Sequence, residues 1–325
     1  MEMLGIGGGI GASRLWGTLQ TAAPDVDLTL VVNTGDDIWM HGLRICPDLD
    51  TVIYALSGRQ DLERGWGVRG ETWRSHEALQ ALGVEAWFGL GDVDLATHLM
   101  RTGELRHSVP LSEVTRRLAS NLGVKATVLP STDDEVATRA ITHEYGDIHY
   151  EEYLVRYGAE PAVIASMTGG ISSARPAPAV LEAIAQSDVI VIGPSNPIAS
   201  TAPVLCVPGV REAIQRARAT VIAVTPIVIN VPIGDVGEDR RARSRAALLE
   251  AAGVAPNPVG VAGLYKRLCD RMVIDSADIE FAATIRDQGF EVAAVPTLMH
   301  RGYPPEQLMD ALLRVALQSA TGATS

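Results

Sequence analysis

The stretch Met3-Leu4-Gly5-Ile6-Gly7-Gly8-Gly9-Ile10-Gly11-Ala12-Ser13-Arg14-Leu15 decides the fold. Apolar Met3–Ile6 reads as a strand, the glycines as a tight turn, and the residues beyond as the opening of a helix. The alternation continues along the chain. Further strands are expected at Leu28–Val32, Val84–Phe88, Ala126–Leu129, Ala162–Ala165, Asp188–Ile192, Thr220–Val224, Met272–Ile274 and Glu291–Val295. Most are Val/Ile-rich runs without a polar face, as strands buried on both sides of a parallel sheet are. Helices fall between them. Val114, Leu118 and Leu122 share one face, with Ser112 as the expected N-cap and Gly123 as the stop, and Leu308, Leu312 and Val315 recur at helical spacing. This predicts a doubly wound, mainly parallel, Rossmann-like α/β sheet. One segment departs from the pattern. Thr138–Thr142 and Ile148–Val155 flank the turn-rich His143–Asp147, with alternation at Ile148, Tyr150 and Glu152. It predicts an antiparallel hairpin, a subdomain inserted at 131–175 in a single large α/β domain spanning 1–325.

The composition fits that reading. Of 325 residues, 47% are apolar and 20% charged, near globular averages, so disorder is not expected. Lys and Arg total 27 against 39 Asp and Glu, and the net charge of −12 argues against nucleic acid or an anionic membrane surface as partner. Three scattered cysteines, Cys46, Cys206 and Cys269, suit a reducing compartment, not a disulfide framework or a zinc site. The N-terminus lacks the basic and long apolar segments of a signal peptide. The longest apolar run, Val221–Ile233, is broken by Thr225, Pro226, Asn230 and Pro232, so it cannot span a bilayer. A soluble cytoplasmic protein is expected.

The glycine turn also carries chemistry. Backbone at Gly7, Gly8, Gly9 and Gly11 can approach a phosphate closely, and the helix behind it offers free N–H groups and a positive dipole end. Gly7-x-Gly9-x-x-Ala12 fits a dinucleotide fingerprint, but the second strand ends in Asn33 where that fingerprint wants a ribose-binding acid. A phosphate or other anion is favoured over NAD; a plain tight turn is the alternative.

Acids follow. Asn33-Thr34-Gly35-Asp36-Asp37-Ile38-Trp39-Met40-His41-Gly42 lies at the carboxyl end of the second strand, where open α/β sheets bind ligands. Adjacent carboxylates there offer hard oxygen ligands for Mg²⁺. Arg44-Ile45-Cys46-Pro47-Asp48-Leu49-Asp50-Thr51 adds two more acids before a helix, which Asp48 or Asp50 could instead simply cap. Carboxylates beside a glycine turn are what metal-assisted phosphoryl transfer needs: the metal offsets phosphate charge, and a free carboxylate takes the attacking hydroxyl's proton. Asp36, Asp37 and Asp50 are therefore expected to converge on one Mg²⁺, with Asp37 and Asp50 as catalytic candidates and Asp50 at the surface. Two further strand-end loops are polar. Gly91-Asp92-Val93-Asp94 leads into Leu95-Ala96-Thr97-His98, and Gly193-Pro194-Ser195-Asn196-Pro197 is a rigid turn able to grip a nucleotide.

Taken together and in this order, these segments resemble the 2-phospho-L-lactate transferases of coenzyme F-420 biosynthesis, and the Trp39–Pro47 stretch looks like the actinobacterial-type branch. The resemblance runs from the glycine turn through Asn33–Asp37, Pro47–Thr51, Gly65-Trp66-Gly67, Leu90–Asp92, Leu129-Pro130, Pro194–Pro197 and Asp275 to Thr297-Leu298-Met299. It implies transfer of a phospholactyl, phosphoenolpyruvyl or phosphoglyceryl group from a guanosine-diphosphate donor to the ribityl hydroxyl of the deazaflavin Fo, releasing GMP with Mg²⁺ assisting. Gly7, Gly8, Gly9, Gly11, Asn33, Asp48, Ser195 and Asn196 are the expected substrate and nucleotide contacts, and a homodimer is expected.

The chain departs from the family pattern around the donor. Val93 stands where an Arg is common, Ser200-Thr201-Ala202-Pro203 lacks a glycine, and Thr225–Asn230 lacks another. Gly234-Asp235-Val236-Gly237-Glu238-Asp239 adds acids where the family has Gly-Pro-Ala, and these are expected to repel an acidic donor if the loop closes over it. Arg14 and Arg44 are the nearest cations to compensate. The alternative function is that of a sister family of non-catalytic, nucleotide-sugar-binding regulators. Its second motif reads Asp-Asp-Gly-Gly-Ser-Ser-Gly, where this chain has Gly35-Asp36-Asp37-Ile38-Trp39.

Overall fold

A computed structural model describes residues 1–299 and 304–322, with side chains described through residue 314. Seven strands form the main sheet: β1 (Glu2–Ile6), β2 (Asp27–Val32), β5 (Thr127–Pro130), β9 (Val189–Ile192), β10 (Thr220–Val224), β11 (Arg271–Asp275) and β12 (Glu291–Val295). Their order is β12-β11-β10-β9-β1-β2-β5, and every neighbouring pair is parallel. Chain direction across the sheet reverses between β1 and β9. That is the switch point, and a crevice opens there outside the carboxyl ends of the strands.

The continuous apolar runs are explained by two cores, one on each face. Met3, Leu30, Val32, Val189 and Val191 pack with Leu15, Trp16, Leu19 and Val52 on one side. Their neighbours Leu4, Ile6, Val31, Ile190 and Ile192 pack with Val180, Ile184, Val210 and Ile214 on the other. Side chains alternate faces along a strand, so a strand covered on both sides needs apolar residues throughout. Trp16 is fully buried and donates its indole N–H to the Gly7 carbonyl at 3.3 Å. Gly193 makes room for its ring, since a Cβ there would lie 2.7 Å from Trp16 Cζ2. Leu308 and Leu312 of the helix Glu306–Gly322 are buried in the first core, while Val315 lies outside the described side chains.

Two smaller sheets complete the fold. β3 (Ile38–Met40) and β4 (Leu43–Ile45) pair antiparallel around His41 and Gly42, both at positive φ, the two-residue turn of a tight hairpin. β6 (Ala137–Thr142), β7 (Gly146–His149) and β8 (Val163–Gly169) form a three-stranded antiparallel sheet in the order β7-β6-β8.

Four expectations need correction. Val84–Phe88 is not a strand: Trp87 and Phe88 meet edge to face and are partly buried against the Met40, Ile45 and Leu90 cluster on the β3–β4 ribbon, without a sheet. The Ala162–Ala165 strand exists within β8 but pairs with β6, and its Ile164 is exposed. The strand begun at Ile148 stops at His149. Tyr150 and Tyr153 are buried three residues apart, a helical spacing that alternation over a few residues did not distinguish. Ser112 is not an N-cap. It lies inside the helix Leu111–Asn121, and the distant Asp133 carboxylate accepts both its N–H at 2.6 Å and its hydroxyl at 2.8 Å.

Candidate active site at the switch point

The ends of β1, β2 and β9 bring the expected residues to one crevice. Ser195 Oγ donates to the Gly8 carbonyl at 2.9 Å, which ties the turn after β9 to the glycine turn after β1. Asn33, at the end of β2, donates from Nδ2 to Asp48 Oδ2 at 3.0 Å and accepts the Gly35 N–H at 2.8 Å. Asp48 lies in the first turn of the helix Pro47–Leu56, and its carboxylate rests on the glycine turn: a Cβ added to Gly8 would lie 2.4 Å from Asp48 Oδ2. A resident carboxylate therefore takes the anion position in front of the helix Gly9–Ala22, where the glycines had suggested an open phosphate cradle.

Asp36 and Asp37 are both buried beside it. Arg44 Nη2 at 3.2 Å and Cys46 Sγ at 3.0 Å both donate to Asp37 Oδ2. Among the described residues, neither Asp36 Oδ1 nor Asp37 Oδ1 has a hydrogen-bond partner. The antiparallel insert supplies one more acid, Glu151, which the sequence reading missed. The Glu151 N–H donates to His149 Nδ1 at 3.1 Å, so Nδ1 is the acceptor and Nε2 carries the proton toward the Asp37 carbonyl at 3.2 Å. Thr138 N–H also donates to the Gly35 carbonyl at 2.6 Å. The insert thus holds the acidic turn in place at two points.

These acids repel one another in a dry setting. Burial pushes Asp36 well above the usual carboxylate range, with Asp48 and Glu151 adding to it. Burial and then Asp48 lift Glu151 to about 8. Burial lifts Asp48 to about 7 against the Asn33 hydrogen bond. Burial lifts Asp37 to about 6 while Arg44 and the Cys46 hydrogen bond oppose it. Such a group either holds protons or holds a cation. Its donors are all oxygens and two point at no partner, so Asp36, Asp37, Asp48 and Glu151 fit a hard divalent ion such as Mg²⁺.

Asp50 belongs to a different network. Both its oxygens accept from the Arg101 guanidinium, which also reaches the Arg44 carbonyl and His98 Nδ1, each at 3.3 Å. His98 Nε2 lies 3.3 Å from Asp94 Oδ2, and Tyr54 donates to Asp94 Oδ1 at 2.7 Å. The ligand atoms of Asp50, Asp94 and His98 lie within 4.8 Å of one another, close enough to hold a metal ion. Arg101 already supplies the positive charge there, and a metal would have to displace it or bear its repulsion. Asp50 is engaged by Arg101 in this structure, and its charge still raises Asp37. Asp50 is also buried, not at the surface. The Asp94, His98 and Arg101 spacing along the helix Asp92–Arg106 puts all three on one face, a signal the sequence did carry.

Other expected contacts serve the fold. Asn196 Oδ1 accepts the N–H groups of Ile198 and Ala199 as a helix cap, and its Nδ2 donates to the Tyr150 hydroxyl at 3.2 Å. Its carboxamide is therefore engaged before any nucleotide arrives. Asp92 caps the helix Arg74–Ala81 through the Arg74 and Ser75 N–H groups, while Glu71 accepts from Val93 and Asp94 N–H at the start of the next helix. The acids of the 234–239 segment have partners within the helix they begin. Asp235 caps the helix Val236–Ala251 by accepting the Glu238 N–H at 2.7 Å, and Glu238 and Asp239 pair with arginines of that helix. Two surface hollows, one near Thr29 and Thr127 and one near Tyr145 and Arg240, lie apart from these acids. The four acids Asp36, Asp37, Asp48 and Glu151 are themselves buried. Among the described residues no helix is long and apolar enough to cross a membrane.

Fold and site together define a Rossmann-like α/β protein with an acidic pocket at its switch point. The family described as 2-phospho-L-lactate transferase CofD matches residues 3–296, and the chain belongs to that family. It is 40% identical over 304 residues to a phosphoenolpyruvate transferase of Streptomyces coelicolor, covering 92% of this chain and 93% of that one. It is 38% identical over 327 residues to a phosphoenolpyruvate transferase of a Mycobacterium species (strain KMS), covering 96% of each. A solved protein of the UPF0052 family from Bacillus halodurans shares the fold, with a TM-score of 0.62 at 19% identity over 96% of this chain and 98% of that one.

Proposed function

We propose that this protein moves a phosphoacid group from a guanosine-diphosphate donor to the terminal ribityl hydroxyl of the deazaflavin Fo, in coenzyme F-420 biosynthesis. The names of its relatives favour phosphoenolpyruvyl over phospholactyl or phosphoglyceryl as the group moved. The observation that carries the reading is the pair of buried oxygens on Asp36 and Asp37 at the switch point, without partners among the described residues, in a chain of this family.

In this reading the ribityl oxygen attacks the phosphorus that bears the phosphoacid. A new P–O bond forms, the bond to the other phosphate breaks, and GMP leaves with the bonding pair. Asp36, Asp37 and Asp48 would hold Mg²⁺, which offsets charge on the diphosphate when bound. The chain's own residues do the rest. Asp37, lifted toward neutrality by burial, accepts the hydroxyl proton. Arg44 holds its other oxygen in place. His149 fixes the backbone of the acidic turn, and Arg101 with Asp50 anchors the helix that presents Asp48. The Gly7–Gly11 turn and Ser195 bound the nucleotide side. The test is GMP release with Mg²⁺ and Fo. Asp36→Asn and Asp37→Asn should each abolish it while the protein stays folded. Unchanged release in both would overturn the assignment.

A further inference from the structure

The helix Val236–Ala251 presents Arg241, Ser244, Arg245 and Leu248 on one face, at successive helical spacings. The face turns inward. Ser244 and Leu248 are fully buried, Ser244 Oγ meets the Tyr150 hydroxyl at 3.0 Å, and the helix packs against β8 and the 197–201 turn. Arg241 and Arg245 stand on the same face as Ser244, whose partner Tyr150 also accepts from Asn196 in the turn after β9. Arg14, on the helix that follows the glycine turn, donates from Nη2 to the Leu62 carbonyl at 3.3 Å; burial lowers its pKa first and the Arg241 charge second.

The charges in this group do not balance locally. Two guanidiniums share one part-buried carboxylate, Glu238, which bridges Arg241 Nε at 2.9 Å and Arg245 Nη2 at 2.5 Å. Asp235 is exposed and 3.9 Å from Arg241. Glu238 stands three residues after the capping Asp235, where a glutamate side chain ordinarily turns back to the cap's own N–H. Here it turns to the two arginines instead. The Nε groups of Arg14 and Arg245 are buried with no partner among the described residues. Unmet guanidinium donors around one carboxylate describe a seat for an oxyanion with more oxygens than a carboxylate has.

We propose that Arg241 and Arg245 form a diphosphate subsite, which Glu238 occupies until a ligand displaces it. The subsite rests on the transferase reading for its purpose: it would hold the donor's diphosphate, with Val93 supplying no charge. Its chemistry stands apart from that reading, because any diphosphate would satisfy these donors.

The test is calorimetric titration of the intact protein with inorganic pyrophosphate in metal-free buffer. Wild type should bind. Arg241→Gln and Arg245→Gln should each weaken binding by about tenfold or more, the weight of one charge-assisted hydrogen bond. Glu238→Gln should tighten it, because the competing carboxylate is gone. A purely structural Glu238 would give weaker or unchanged binding. If Arg245→Gln does not fold, Arg241→Lys on the half-exposed neighbour keeps the charge, loses the fork and should give an intermediate loss. No binding by wild type, or binding indifferent to Arg241 and Glu238, overturns the proposal. A wild type that transfers to Fo while pyrophosphate ignores these residues overturns the subsite alone. Arginine-dependent pyrophosphate binding without transfer overturns the transferase reading and leaves the subsite standing.

Discussion

Asp48 Oδ2 sits where any side chain on Gly8 would have to go, 2.4 Å from an added Cβ. The glycine is required by the protein's own carboxylate, and the dipole end of the helix Gly9–Ala22 faces an acid that belongs to the fold. Gly8 itself has extended backbone angles that any residue can adopt, so the constraint is contact and not conformation.

Gly8→Ala should therefore destabilise the protein by about 1–3 kcal/mol, as overpacking does. Asp48→Ala in the same chain should recover most of that loss. Thermal unfolding of the two single variants and the double variant checks it. Additive losses would mean that the two side chains do not collide.

The raised carboxyls set a pH dependence with a definite sign. Asp48 moves from 3.8 to about 7 and Glu151 from 4.5 to about 8, so the folded state holds protons that the unfolded chain has released. Stability they contribute is full below the unfolded values and is lost as pH rises through the folded ones. His149, lowered from 6.5 to about 4, acts oppositely but only below 6.5. Stability should fall most clearly from about pH 6.5 to about pH 8, and Glu151→Gln should flatten that fall. Denaturant midpoints across this range decide it; a rise in wild type would contradict the electrostatics.

Mg²⁺ should remove much of the same fall. A cation among Asp36, Asp37 and Asp48 replaces their shared protons, and ligand that binds only the folded state raises its stability. The thermal midpoint at pH 8 should climb with added Mg²⁺ in wild type and stay level in Asp36→Asn. An equal climb in both would place the ion elsewhere, with Asp50, Asp94 and His98 the first place to look.

Arg101→Met should cost about 3–5 kcal/mol, because it leaves the buried Asp50 carboxylate without its charge partner. Asp50→Asn likewise strands Arg101, so it should lower stability as well as activity. Combining Arg101→Met with Asp50→Asn should cost less than the two single changes added together. Strict additivity by denaturant unfolding would show that the pair is not coupled.

Much of this was legible in the chain. The parallel sheet could be read because its strands are covered on both faces, which demands unbroken apolar runs such as Val189–Ile192. The same rule misread Val84–Phe88, whose Trp87 and Phe88 are partly buried against a two-stranded ribbon that its short strands and tight His41-Gly42 turn concealed. Asp36, Asp37 and Asp48 could be found because they follow one strand and open the next helix. Glu151 and His149 could not: they reach the site from an insert more than a hundred residues away, and no local pattern marks them. The acids near Asp235 show a related limit. A residue's charge is visible in the sequence, whereas its pairing with Arg241 and Arg245 is a property of the helix it begins.

The central claim is that this chain transfers a phosphoacid to Fo, and product mass tests it most directly. The protein is incubated with Fo, Mg²⁺ and, in turn, the enolpyruvyl, lactyl and phosphoglyceryl derivatives of guanosine diphosphate. The account predicts a deazaflavin product heavier by the phosphoacid group, formed best from the enolpyruvyl donor, with GMP appearing in equal amount. Fo recovered unchanged with all three donors, by a folded protein that still binds GDP, would contradict it and favour a nucleotide-binding role without transfer.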